Sequence, residues 1–170
     1  LNNRVFIDGF DTGTLASNVS LTAQPGLEGY EYIFSGSNNY GLMVPDGMTL
    51  TLEAGTTLMM PQTSSVQVSG HLAATGTTTQ PVTFTSANNP QPNAWAGIYV
   101  LDTGSITLEN SAIEFAGGGL DVTSNSGSLA EIQDVVFREN SIPIEISPNN
   151  LHLLQMDNVS FENNVRNRIF

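Results

Sequence analysis

The chain has 170 residues, with sixteen Asp plus Glu against four Arg, no Lys and no Cys, for a formal charge of −12. So acidic a surface repels phosphate backbones and anionic lipid, which argues against nucleic-acid binding and membrane attachment, and it repels uronate polymers unless cations intervene. The absence of cysteine excludes disulfide bracing and thiolate metal sites, and no apolar run reaches the roughly 18 residues a membrane-inserted helix needs.

Residues 1–40 fit no repeat well: RVFI and YIF read as strands and GLEGY as a turn, making this stretch an irregular coil or a cap over the first regular one. No signal peptide precedes Leu1, so the chain reads as a mature protein or an excised piece. From residue 41 onward three strand patterns recur in fixed order. One ends at Val44 (GLMV), Val68 (VQV), Val100 (GIYV), Val122 (GLDV), Ile146 (PIEI), and Ile169 with Phe170 (NRIF). A second, weaker row runs through Leu52, Ala74, Leu108, Ile132 and Met156. The third is marked by Met60 (TTLMM), Phe84 (VTF), Phe115 (IEF), Phe137 (VVF) and Phe161 (VSF). Most members recur close to 24 residues apart. The interval lengthens once, between Phe84 and Val100, which predicts a single inserted loop at 85–96 within coils spanning 41–170.

Within each unit apolar residues alternate with period two, and no helical stripe competes. Strands of three to five residues cannot bury a face alone. Repeats of this length imply coils stacked about 4.8 Å apart, so that Phe lies over Phe and Val over Val in a continuous interior. Asn140, Asn163 and Asn164 fall at one corner after the phenylalanine row, where Asn tolerates left-handed backbone and its amide can bond the coil below.

The runs PDGMTLTLEAGTTLMM, VQVSGHLAATGTTTQPVTFTS and NAWAGIYV resemble the opening coils of right-handed parallel β-helix repeat proteins, the pectin-lyase-like superfamily of secreted and surface bacterial proteins. The likeness covers about residues 41–170. It implies an all-β fold, a right-handed single-stranded parallel β-helix of about five to seven coils with three short strands each, and an extracellular or cell-surface location. The handedness rests on this resemblance and on the general preference for right-handed parallel crossovers. The catalytic motifs of the superfamily are missing. Its lyases use an Arg or Lys base with cationic subsites or Asp-held calcium, and its polygalacturonases use three Asp beside a His and a basic pair. Here there is no Lys and no clustered Asp triad, and only Arg166 and Arg168 lie close together.

One outward row offers a candidate site. The residue before each terminal apolar one in the first strand row points out, which aligns Gln67, Tyr99, Asp121, Glu145 and Arg168 at about 5 Å intervals. Asp121 and Glu145 at that separation resemble the carboxyl pair of a retaining glycosidase, and Trp95, on the turn into this row, could stack on a sugar ring. The competing account makes the same residues structural: acidic side chains solubilise the sheet, Arg168 pairs with Glu145 on the surface, and Trp95 covers the side of a coil. His71 and His152 are too far apart to share a ligand. No cofactor and no metal site is expected, beyond weak calcium binding through scattered carboxylates. Solenoid ends leave backbone unpaired, and Val5, Ile7, Ile169 and Phe170 are the expected contacts for head-to-tail self-assembly. The expected function is a non-enzymatic extracellular structural or adhesive domain. The alternative is a polysaccharide-binding or polysaccharide-degrading module using Trp95, Tyr99, Asp121 and Glu145.

Overall fold

The computed structural model describes residues 3–8, 13–33, 41–124 and 129–166. Its strands follow one another in short segments: β1 (Arg4–Asp8), β2 (Val19–Leu21), β3 (Gly29–Ile33), β4 (Leu42–Val44), β5 (Thr49–Glu53), β6 (Thr57–Met60), β7 (Ser65–Val68), β8 (His71–Thr75) and β9 (Val82–Ser86). They continue with β10 (Trp95–Val100), β11 (Ser105–Glu114), β12 (Ala116–Asp121), β13 (Ala130–Arg138), β14 (Ile142–Glu145), β15 (Leu154–Asp157) and β16 (Ser160–Glu162), with one 3-10 helix at Pro148–Leu153. Every strand pairing is parallel, and partners lie one coil apart in sequence. The result is a parallel β-solenoid of about six turns.

Three faces run along the stack. The first holds β4, β7, β10, β12 and β14 in one five-stranded sheet. The second holds β2, β5, β8, the first halves of β11 and β13, and β15; the third holds β1, β3, β6, β9, the second halves of β11 and β13, and β16. β11 and β13 serve two faces because each bends at one left-handed residue, Asn110 (φ 45°) and Asp134 (φ 54°), a role Asn158 (φ 49°) repeats one coil on. Short polar side chains suit that backbone because they bond locally at small steric cost. The Asn158 amide donates to the Asp134 carboxylate across the coils.

Inward residues form continuous columns. Val44, Val68, Val100, Val122 and Ile146 line the first face, all at most 2 % exposed. On the second, the register stacks Leu21, Leu52, Ala74, Leu108, Ile132 and Met156. The third column departs from the expected row in two places. Leu58, not Met60, pairs with Phe84, and Ile113, not Phe115, links Phe84 to Phe137. Phe137 and Phe161 then stack with ring centroids 5.7 Å apart. Met60 is still interior, whereas Phe115 has a φ of 61° and begins the corner toward the first face.

At that corner the amide ladder is present and buried. Asn140 Oδ1 accepts from the Ala116 N–H at 2.9 Å, while Asn140 Nδ2 donates to the Ile113 carbonyl at 2.9 Å. Asn164 repeats the pattern one coil on, accepting from the Asn140 N–H at 2.9 Å and donating to the Phe137 carbonyl at 2.9 Å. The ladder residues are Asn140 and Asn164; Asn163 supplies the left-handed turn (φ 51°), as Glu139 does one coil earlier (φ 56°). Trp95 occupies the equivalent position two coils above Asn140, paired with Ala116. On the outer side of the third face, Glu114 accepts from Arg138 Nε at 2.7 Å and from Thr85 Oγ1 at 3.3 Å.

Candidate functional site

The outward ladder of the first face has the register its sequence spacing suggested: Met43, Gln67, Tyr99, Asp121 and Glu145 lie on successive coils. Arg168, Ile169 and Phe170 lie outside the described residues. Trp95 is only 1 % exposed, and its indole N–H donates to the Glu114 carbonyl at 2.7 Å. Its rings are part of the core, because the corner carbonyl gives the one polar atom of the indole a buried partner. A sugar-stacking platform at this residue is therefore corrected to a packing role.

Asp121 and Glu145 are neighbours with different surroundings. One Asp121 oxygen accepts from both the N–H and the hydroxyl of Thr123, at 2.8 and 2.6 Å, which ties this carboxylate into a local turn. The Glu145 carboxylate has no hydrogen-bond or ion-pair partner among the described residues, although its backbone carbonyl accepts from the Val122 N–H at 2.8 Å. Its Oε2 lies over Gly118, where an added Cβ would come to 3.3 Å. Burial raises the Glu145 carboxyl above the ordinary carboxylate range, Asp121 adds to the rise, and Arg166 opposes it. The Tyr99 hydroxyl is raised as well, first by burial, then by Asp121 and Glu145.

Tyr99 and Glu145, but not Asp121, line a trough of about 460 Å³ that also includes Gly117, Gly118, Asn93 and Arg166. A Cβ on Gly117 would lie 2.6 Å from Asn93 Oδ1, so a side chain there would have to displace the Asn93 amide. Asn93 reaches the trough from the connection between β9 and β10, where its φ of 68° marks a left-handed turn. Arg166 is brought in by the next coil, its N–H bonded to the Ser141 carbonyl at 3.0 Å. Sequence reasoning missed both residues. Arg166 falls 24 positions after Ile142 and was recoverable from the period, whereas Asn93 sits in the insertion and belongs to no period.

His71 Nδ1 lies 2.8 Å from Ser105 Oγ on the second face, and His152 belongs to the 3-10 helix. Among the described residues no group of three or more His, Asp or Glu is placed to hold a metal ion. At the first end, Val5 is 45 % exposed and Ile7 is half-buried, both on β1.

The raised carboxyl has a consequence for stability. A folded pKa above the unfolded value means that Glu145 favours the fold most when protonated, and this contribution is lost as pH rises from the ordinary carboxylate value through the raised one. Glu145→Gln is therefore expected to raise Tm at neutral pH, with the gain over wild type shrinking in acid. A Tm difference that stays constant from pH 7 to below about 4 would contradict this assignment.

A family model described as a pectate-lyase like beta helix domain matches residues 14–134. No curated protein and no solved structure matches the chain. The match covers well over half of the sequence and lies within the stacked coils, and the chain belongs to this pectate-lyase-like β-helix family.

Proposed function

We propose that this member of the family is a non-enzymatic structural domain of a secreted or surface-displayed protein, a rigid β-rod that associates end to end. The observation that carries the reading is the state of the interior columns at the last described coil. Ile132 and Phe137 are 2 % and 0 % exposed, yet their stacked successors Met156 and Phe161 are 42 % and 38 % exposed. Leu151 and Val165, at the same end, are 56 % and 66 % exposed. Covering such side chains is worth about 25 cal/mol per Å² of apolar surface, and β15 and β16, which among the described residues pair only with β13, offer a second edge for parallel pairing. The opposite end offers β1, where Val5 and Phe6 are 45 % and 59 % exposed. The two ends differ, so their contact is heterologous and propagates as a line. The acidic sides oppose lateral clumping.

The chemistry of the first face supports the non-enzymatic reading. Trp95 is interior and offers no stacking platform for a sugar, and one Asp121 oxygen is held in a local turn by Thr123. In light scattering across a concentration series, the wild-type mass is expected to climb above the monomer value, and Phe161→Asp, which places a charge on the stacking surface, is expected to hold the chain at monomer mass. A wild-type chain that remains monomeric throughout would sink the proposal.

A further inference from the structure

Among the described residues, the first-face trough sets a cation, Arg166, and an acid, Glu145, on its walls without joining them. The other described arginines are paired: Arg4 with Glu28 and Glu31, and Arg138 with Glu114. Along the trough, however, the Arg166 guanidinium, the Glu145 carboxyl, the Tyr99 hydroxyl and the Asn93 amide make no hydrogen bond or ion pair with any described residue. Arg166 lies close enough to Glu145 to act on its charge, but the two do not come within 4.0 Å. Arg166 is thus the one described arginine without a carboxylate partner, and Glu145 is an acid of the same trough.

The glycine floor explains how the gap persists. No side chain fills the space between the two charges, and a Cβ on Gly118 would meet only the tip of Glu145. We infer that the trough is a binding site for a small zwitterion, a free amino acid or short peptide, whose ammonium is held by Glu145 and whose carboxylate is held by Arg166. Tyr99 and Asn93 complete the set with a hydroxyl and an amide, both able to donate and accept. The net charge of −12 selects the same class. A simple anion must enter against the field of the whole protein, and a simple cation leaves the guanidinium unsatisfied, whereas a zwitterion carries no net charge and matches both ends.

The test is a titration of the ¹⁵N-labelled chain with glycylglycine, followed by amide spectra, with methylammonium, acetate and cellobiose in parallel. Saturable shifts are expected at Asn93, Ala96, Gly117, Gly118 and Arg166 with glycylglycine, and binding at least about tenfold weaker with methylammonium or acetate alone. Glu145→Gln and Arg166→Gln should each weaken glycylglycine by about tenfold or more. Gly118→Val, which fills the floor without requiring left-handed backbone, should abolish the shifts while the spectrum keeps its dispersion. No saturable shift with glycylglycine overturns the inference. So does acetate binding as tightly as the zwitterion, or cellobiose saturating the trough while glycylglycine leaves it unchanged.

Discussion

Asn140→Ala is expected to destabilise the solenoid by about 3 kcal/mol, since each buried polar group left without a partner costs about 1–3 kcal/mol. Asn140 is fully buried and serves three partners: the Ala116 N–H, the Ile113 carbonyl and the Asn164 side chain. Alanine provides none of these bonds, and no described side chain is placed to replace them. The urea midpoint, followed by far-ultraviolet circular dichroism, should fall with little change in slope, because the surface exposed on unfolding is nearly the same. Asn163→Ala separates the ladder from the turn. Asn163 supplies a left-handed turn rather than the amide bonds, so its loss should cost about 1 kcal/mol, the scale of left-handed strain for an ordinary residue. Equal losses at the two positions would mean that backbone strain, not the amide ladder, holds this corner.

Trp95→Ala should be the more damaging change, costing about 3–5 kcal/mol, as large aromatic deletions in cores do. The indole is 1 % exposed and bridges the corner between the third and first faces through its bond to the Glu114 carbonyl. Trp95→Phe keeps most of the volume and removes that bond, so the expected loss is about 1–3 kcal/mol for the orphaned carbonyl. A platform for a ligand behaves differently, with Trp95→Ala leaving the urea midpoint in place. Trp95 is the sole tryptophan, so its fluorescence in the native chain gives a second readout. An emission maximum at the wavelength of buried indole agrees with the structure, and one at the wavelength of free indole in water contradicts it.

The repeat carries most of the fold into the sequence, and its failures have a common cause. The first and second rows were legible residue by residue because one apolar side chain marks each strand. The third slipped by two residues at Met60 and Phe115, where Leu58 and Ile113 are the true column members. A period-two pattern cannot detect a two-residue slip when both candidates are apolar and point the same way. The left-handed corners at Asn110, Asp134 and Asn158 recur every 24 residues, yet their bend was hidden because β11 and β13 read as uninterrupted runs. The outward register of Tyr99, Asp121 and Glu145 followed from the same spacing. What distinguishes Asp121 from Glu145 did not, since a bond to Thr123 and a position over Gly118 depend on side-chain direction. Trp95 could be read either way because an aromatic residue beside an insertion serves equally as core or platform. Only its burial decides.

The claim that the interior columns continue from one molecule to the next is tested most directly by imaging the purified chain across a concentration series, with fibre diffraction on whatever assembles. A single stack of about six coils is about 30 Å long at the ordinary strand spacing. The expected result is unbranched rods that lengthen with concentration and give an axial reflection near 4.8 Å, both lost in Phe161→Asp. Particles that keep the length of one stack at every concentration would contradict the account.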